Sequence, residues 1–396
     1  MHIAVVSNTC WYLFNFRLNL MLALQAAGHT VVAVAPDDAY AQRLRDAGIS
    51  FEAVPISGGG THPLRELQSV LRLGAVFRRH QVGLVLSYTP KGNLYSALAC
   101  MALRIRFVPN VSGLGRAFIR KSLVTRVAKA LYRLTFSRAH RVFFQNLDDM
   151  GVFVRDGLVR SEKAERLPGS GVDLSRFVPA PPMARGADAP VFLLVARMLW
   201  DKGVGEYVEA ARRVRVLHPG ACFQLLGFLD VDSPSAISRR QMDDWLAEGV
   251  VTYLGRTDDV REFLRQADCV VLPSYREGVP RTLLEAAATA RPVITTDAPG
   301  CRDTVVDGKT GFLCRPADAQ DLADKLLRFM ALGSDERQAM GQQGREFVDQ
   351  NFDERLVIDR YLAVVSEIAT IDRTRSPSNL DQFAAGDSRA RQTPEK

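Results

Sequence analysis

The chain has 396 residues, more than one ordinary hydrophobic core accommodates, so two domains are expected. Hydrophobic residues at 47% and charged residues at 24% are globular values that exclude a disordered chain, and no apolar run reaches the length of a membrane-spanning helix. The net charge of +7 is uneven: residues 1–182 carry 23 Lys and Arg against 11 Asp and Glu, the remainder 28 against 33, so the first half is expected to face an anionic surface.

The chain opens on Met1-His2-Ile3-Ala4-Val5-Val6, a core strand rather than a signal peptide. Six cysteines, among them Cys222, Cys269 and Cys314 in apolar runs, form no C-x-x-C pair. They read as reduced core residues of a cytosolic protein, and the missing pair argues against structural zinc. Strands are expected at Ile3–Ser7, Thr30–Ala35, Phe51–Val54, Leu84–Ser87, Phe107–Val111 and Val142–Gln145, with helical segments between them. That alternation predicts a parallel sheet with helices on both faces. No G-x-G-x-x-G follows the first strand, so a dinucleotide fingerprint is absent there. In its place Asn8–Arg17 reads as a crowded aromatic loop, either part of an interdomain cleft or a hydrophobic staple for the first helix. Ser87–Asn93 and Asn110–Gly115 are further loops at the same sheet edge.

Arg116 to Arg141 holds eight basic residues and no acidic one: Arg116, Arg120, Lys121, Arg126, Lys129, Arg133, Arg138 and Arg141, with apolar residues interleaved. This predicts a basic amphipathic helix on an anionic membrane. The plainer alternative is a core-facing helix with a solvated basic side, and the absence of acids favours the membrane. Nucleic acid is the rival anion, but no recognition-helix or RNA-binding signature accompanies the charge. Val178–Pro190, rich in Pro and Ala, reads as a linker.

The second half repeats the alternation, with strands expected at Val191–Val195, Phe223–Leu226, Val250–Leu254, Val270–Leu272, Val293–Thr296 and Phe312–Cys314. After the first of these, Arg197 and Lys202 lie five apart in a strand-to-helix loop, a guanidinium fork and a point charge suited to a diphosphate. Asp230-Val231-Asp232 is read as a chance D-x-D. From Cys269 to Thr296 the pattern is strand, polar loop, helix starting near Pro280 in a first-turn position, strand. A helix N-terminus at a strand's C-terminal edge is where an open α/β sheet binds ligands, and its free N–H groups suit phosphate. A carboxylate beside a phosphate site would repel it, so Glu277 in the loop and Glu285 in the helix are expected to meet hydroxyls.

The run E-G-V-P-R-T-L-L-E, followed by A-R-P-V-I and Gly300, resembles the E-x7-E signature of the family 4 retaining glycosyltransferases. Arg197 and Lys202 match that family's R-x4-K-G diphosphate clamp, and Gly169–Phe177 its G-V-D-x-x-x-F segment. The N-terminal N-x-x-W-Y-x-x-F-x-F-R and the two loops above narrow the resemblance to the CapM-like capsule and glycan enzymes, including lipid-linked-oligosaccharide N-acetylgalactosaminyltransferases, that build on undecaprenyl-diphosphate sugars.

The resemblance implies a GT-B fold, α/β, with two Rossmann-like domains facing across a cleft. The first domain spans 1–177, the linker 178–190 and the second domain 191–354. A helix over 355–374 then crosses back to the first domain, and a disordered tail begins at 375. It implies that Glu277 holds the donor sugar's hydroxyls, Glu285 the ribose, and amides near Thr282 and Leu283 the diphosphate, with Gly278 also on the donor side. Gly255 and Arg256 lie in the loop expected to meet the base. On the acceptor side it implies Asn15, Arg17, Lys91, Asn93, Ser112 and Gly113, with Lys91 nearest an acceptor diphosphate. Many relatives carry His where Ser112 stands, so the His role has no obvious holder.

The implied reaction is retaining transfer of a hexose or N-acetylhexosamine by a hexosyltransferase, from a UDP-sugar to a lipid-linked saccharide. No metal or other cofactor is expected, and the protein should sit peripherally on the inner face of the plasma membrane. A GDP-mannose enzyme on the same scaffold is the alternative. A decayed, membrane-bound binding protein is another, against which the intact Arg197, Lys202, Glu277 and Glu285 argue.

Overall fold

A computed structural model describes residues 1–57, 62–114, 123–181 and 189–375. Seven parallel strands form the first sheet: β1 (His2–Val6), β2 (Thr30–Ala35), β3 (Ser50–Ala53), β4 (Leu84–Tyr88), β5 (Arg106–Val111), β6 (Val142–Phe144) and β7 (Ala164–Arg166). Their order is β3-β2-β1-β4-β5-β6-β7, with Ile3 of β1 beside Val31 of β2 and Leu84 of β4. The strands are apolar throughout because both faces are covered. Ala4 and Val6 pack towards α3 (Pro63–Arg79), α4 (Pro90–Leu103), α5 (Leu123–Phe136) and α6 (Leu147–Arg155). Ile3 and Val5 pack towards α1 (Cys10–Ala26) and α2 (Ala41–Asp46).

The second sheet has six parallel strands: β8 (Val191–Val195), β9 (Cys222–Leu226), β10 (Thr252–Tyr253), β11 (Cys269–Leu272), β12 (Val293–Thr296) and β13 (Gly311–Cys314), in the order β10-β9-β8-β11-β12-β13. One face carries α7 (Val204–Leu217), α8 (Arg239–Ala247) and α11 (Ala319–Met330). The other carries α9 (Arg261–Gln266), α10 (Arg281–Ala288) and α12 (Ser334–Phe352). In each sheet the strand order reverses once, between β1 and β4 and between β8 and β11. A parallel sheet opens a crevice at such a point, outside the carboxyl ends of its strands.

The chain passes between the halves twice at one place. Val172 donates its amide to the Phe352 carbonyl (2.9 Å), and Glu354 donates its amide to the Val172 carbonyl (3.1 Å). Asp353, extended at φ −56° and ψ 132°, separates α12 from α13 (Glu354–Arg375). Its carboxylate then accepts the Arg355 amide at 2.9 Å as α13 begins. α13 lies on α1, and its Val357, Tyr361, Val364, Val365 and Ile368 belong to the first half's core.

Three local expectations are corrected. Asn8–Arg17 is not a loop but the start of α1: Thr9 caps it by accepting the Tyr12 amide (3.1 Å), and the Asp38 carboxylate accepts the amides of Cys10 (2.8 Å) and Trp11 (3.3 Å). Pro280 is the N-cap of α10 rather than a first-turn residue. β7 was not anticipated, because its Ala-Glu-Arg sequence has no apolar run and pairs only at the sheet edge with β6. Most of the expected linker (182–188) and the tail from 376 lie outside the described residues.

Candidate active site

The loop after β11 is held from three sides. Glu277 Oε1 meets the Lys202 ammonium and accepts the Ser274 hydroxyl at 2.8 Å, and the two charged side chains are only 14% and 19% exposed. Lys202 arrives on the 3-10 turn Trp200–Lys202 after β8. The Asp201 carbonyl of that turn accepts the Tyr275 amide (3.0 Å) and the Ser274 hydroxyl (3.1 Å). The next residue, Gly203, has φ +71°, and a β-carbon there would overlap the Pro273 carbonyl. So the two sequence motifs meet at the β8/β11 crevice because turn and loop share backbone contacts.

Around them the other expected donor residues are distributed as follows. Arg197 is exposed at the end of β8. Leu283 is buried and its amide is spent on the Pro280 carbonyl (3.0 Å), so of the two expected amides only that of Thr282 has no partner among the described residues. Glu285 pairs with Arg281 at 3.0 Å, and burial pushes its carboxyl up despite that guanidinium. Arg281 also donates to the Asn15 carbonyl across the cleft (2.5 Å) and lies over the Phe16 ring (5.1 Å). Gly255 ends the β10 loop at φ +77°, its carbonyl accepting the Gly227 amide, with exposed Arg256 over Phe228. Asp230 of the D-x-D sequence pairs with Arg239.

On the first half, the β1/β4 crevice is lined differently from expectation. Arg17 is not a cleft residue: it is 1% exposed, stacked on Tyr88 (4.2 Å to the ring centroid), and donates to the Tyr12 hydroxyl at 3.1 Å. Tyr12 and Ser112 Oγ lie 3.0 Å apart. Ser112 in turn donates to Asn110 Oδ1 (3.2 Å), and Asn110 donates to the Tyr361 hydroxyl (3.0 Å). Asn93 is buried too: its Nδ2 donates to the Asn110 carbonyl at 2.8 Å, while its Oδ1 has no partner among the described residues. Lys91 is committed to Glu66 of α3 at 2.7 Å, which also takes the Tyr95 hydroxyl. The Asn15 side chain donates to Trp11 within α1 (2.9 Å). The position where many relatives carry His is thus a serine wired to a tyrosine and, behind it, a buried cation. Thr89, at the end of β4, holds φ +66° without being glycine, a strained backbone of the kind stored at functional sites.

The two crevices touch. Gly278 packs on the Ser112 carbonyl so closely that a β-carbon would overlap it, and Gly113 faces the Gly278 amide. Sequence reasoning missed Gln145 and Asn146, which make this contact. Asn146 Nδ2 donates to the carbonyls of Gly278 (2.7 Å) and Glu277 (3.2 Å), while its Oδ1 caps α6 at Asp149 (2.8 Å). Gln145 Oε1 accepts the Val279 amide at 3.2 Å. The signal was the capping pattern N-x-x-D after a strand, which says where a helix begins but not what else the cap reaches. Asp149, fully buried, meets Arg276 from the other half, and burial still raises its carboxyl. Tyr40 and Arg43 hold Asp258 at 2.6 and 2.7 Å at another point of the cleft.

The basic stretch is divided. Arg116, Arg120 and Lys121 lie outside the described residues. Arg126 is exposed, but Lys129 pairs with Asp156 (2.7 Å), Arg133 donates to the Asp156 and Gly157 carbonyls, and Arg141 meets Glu165 and Glu367. Exposed Val127 and Leu134 share α5 with them. A second amphipathic helix was not anticipated: α3 turns Leu73, Val76 and Phe77 inward and leaves Leu64, Leu67 and Leu71 at 73%, 55% and 65% exposure, beside exposed Arg65 and Arg72. Both helices flank α4. Among the described residues no helix is long and apolar enough to cross a membrane.

Comparison with known proteins agrees with this architecture. A family model for a glycosyl transferase 4-like domain matches residues 16–170, and one for glycosyl transferases group 1 matches 182–347. The Campylobacter jejuni N,N'-diacetylbacillosaminyl-diphospho-undecaprenol alpha-1,3-N-acetylgalactosaminyltransferase is 28% identical over 93% of this chain and 99% of its own. The Staphylococcus aureus capsular polysaccharide biosynthesis glycosyltransferase CapM is 28% identical over 41% of this chain and 42% of its own. Among solved structures, Anabaena Alr3699/HepE in complex with UDP-glucose superposes with a TM-score of 0.76 over 93% of this chain and all of that one, at 18% identity, a likeness of fold. With its two parallel sheets facing across one cleft and both family models matched in tandem, the chain belongs to the family 4 glycosyltransferases of the GT-B fold.

Proposed function

We propose that this glycosyltransferase moves a hexose or N-acetylhexosamine from a UDP-sugar to an undecaprenyl-diphosphate-linked saccharide, with retention of configuration, during assembly of a bacterial surface glycan. One observation carries the reading. The Glu277 carboxylate is fixed by Lys202 and Ser274, and the Glu277–Gly278 backbone that carries it packs on the loop bearing Ser112, where the donor crevice of one half meets the acceptor crevice of the other. The full-length similarity to a transferase acting on a diphospho-undecaprenol sugar supports the acceptor class, and the UDP-glucose in a structural neighbour supports the nucleotide.

In this reading Arg197, Lys202 and the α10 N-terminus around Thr282 receive the donor diphosphate. Charge grows on that group as the glycosidic bond breaks, and preorganised cations and amides stabilise the growing charge more than the ground state. Glu277 orients the sugar through its hydroxyls, and Glu285, released from Arg281, meets the ribose. The acceptor hydroxyl attacks from the face the nucleotide leaves, and the departing phosphate oxygen takes its proton, so no protein base is assigned. The α3 leucines with Arg65 and Arg72, together with Arg126 and Val127 of α5, support contact with an anionic membrane surface that would present the lipid acceptor.

The test incubates purified full-length protein with UDP- and GDP-sugars, with and without lipid-linked saccharides, and reads released nucleotide. UDP released with one sugar and only with lipid acceptor is the expected result. GDP release would replace the donor assignment, and release without any acceptor dependence would remove the acceptor assignment.

A further inference from the structure

At the opposite end of the first sheet from Ser112 lies a cavity of about 760 Å³. It opens where α4 ends, where β5 begins and where the chain enters β6. A six-residue strand separates it from the cleft by roughly 20 Å. Its polar lining is Arg104, Arg106, Arg138, His140 and Lys163, with no acidic residue, over an apolar floor that includes Ile105 and Phe107.

The nearby carboxylates are already engaged. Glu162 pairs with Arg160 (3.3 Å), Glu165 with Arg141 (3.1 Å) and Arg360, and Glu367 with His140 (3.3 Å) and Arg141 (3.4 Å). Arg104 and Arg138, both exposed, have no ion pair among the described residues. Lys163 Nζ spends two donors on the Ser137 and Ala139 carbonyls (2.8 Å each), leaving a third. Its ammonium is pushed down by burial and then by Arg160, with Glu162 opposing the shift and Arg138 adding to the repulsion. Arg104 itself sits at the C-cap of α4 with φ +59°, where glycine or asparagine is the ordinary residue. Left-handed backbone for a bulky residue costs on the order of 1 kcal/mol.

We infer that this cavity binds a phosphate group, with the apolar floor accommodating the small alkyl part of its ester. Mutually repelling cations around a concave, acid-free surface are stabilised by a multivalent anion, and guanidinium forks suit phosphate oxygens in particular. A phospholipid headgroup and a soluble phosphate compound share that chemistry. The inference does not depend on the reading of the cleft.

The test uses full-length protein, inorganic pyrophosphate in calorimetric titration, and sedimentation with phosphatidylcholine vesicles with or without phosphatidylglycerol. The variants are Arg104→Asn/Arg138→Gln, Lys202→Ala to remove anion binding at the cleft, and Arg240→Gln/Arg315→Gln as a charge-matched control on the other half. Asparagine tolerates the left-handed backbone, and an unchanged melting temperature verifies folding. Pyrophosphate binding that survives Lys202→Ala and the control but weakens at least tenfold in Arg104→Asn/Arg138→Gln supports the site and a soluble ligand. The same selective tenfold loss for phosphatidylglycerol vesicles alone supports it with a headgroup. Wild-type binding by Arg104→Asn/Arg138→Gln to both probes, or an equal loss in the control pair, overturns it.

Discussion

Replacing Lys202 by Met separates two roles that share one ammonium. The ammonium balances Glu277, and both side chains are less than one-fifth exposed. Breaking a fully buried pair costs about 3–5 kcal/mol. Partial solvation and the remaining Ser274 hydroxyl reduce that here to about 1–2 kcal/mol. Glu277→Gln in the same chain removes the stranded charge, so the double variant should regain most of the stability lost by Lys202→Met, measured by denaturant unfolding. Catalysis should not follow. Loss of one preorganised donor to a developing charge costs roughly 2.7–4 kcal/mol, about 10²–10³ in rate. Single-turnover nucleotide release should therefore stay at least a hundredfold low in Lys202→Met and in Lys202→Met/Glu277→Gln alike. Recovery of transfer in the double variant would show that Lys202 only neutralises Glu277 and would refute its assignment to the leaving diphosphate.

Glu285 gives a pH signature. Burial raises its carboxyl, so as pH falls it protonates before an ordinary carboxylate does and loses acceptor capacity for ribose hydroxyls. Donor KM should climb on the acid side above the usual carboxylate range, and Glu285→Gln should flatten that limb; an unchanged limb would remove Glu285 from the donor site. Tyr12→Phe should lower kcat/KM about fivefold to tenfold, the worth of one hydrogen bond near 1 kcal/mol, and should have no further effect in a Ser112→Ala background. Additive losses would mean that the two act separately. Asn146→Ala removes the α6 cap and strands the Gly278 carbonyl, for a combined loss of about 2–3 kcal/mol in denaturant unfolding. Leu67→Glu should reduce sedimentation with anionic vesicles severalfold without shifting the melting temperature, since its side chain is more than half exposed.

The parts of the site that a linear reading reached are those whose chemistry is set by neighbours in sequence. Lys202 lies one residue before the glycine that lets the β8 turn press on Pro273, and Glu277 lies three residues from the serine that holds it. Arg17 escaped that reading because its cage is built from Tyr88 and Tyr361, far along the chain, and an arginine in a helix otherwise signals solvent. Lys91 looked free because its partner Glu66 sits on a helix whose docking no local pattern specifies. α3 shows the same limit from the other side. Leu64, Leu67 and Leu71 have the i, i+3, i+7 spacing of a core stripe, yet Leu73, Val76 and Phe77 fill the core instead. Periodicity identifies an amphipathic helix, and only the sheet decides which apolar row it takes in.

The return of α13 to the first half also orders events during synthesis. The sheet that is translated first keeps one face incompletely covered until Val357, Tyr361, Val364, Val365 and Ile368 leave the ribosome, near the end of the described chain. The sheet translated second has both of its helical layers by Phe352 and can close earlier. A nascent chain halted between those points would present a finished C-terminal body tethered to an N-terminal one with an open apolar flank, and holdase chaperones and proteases act on such surfaces. Arrest or truncation just after Asp353 should therefore yield a protease-resistant fragment from the second half and rapid loss of the first.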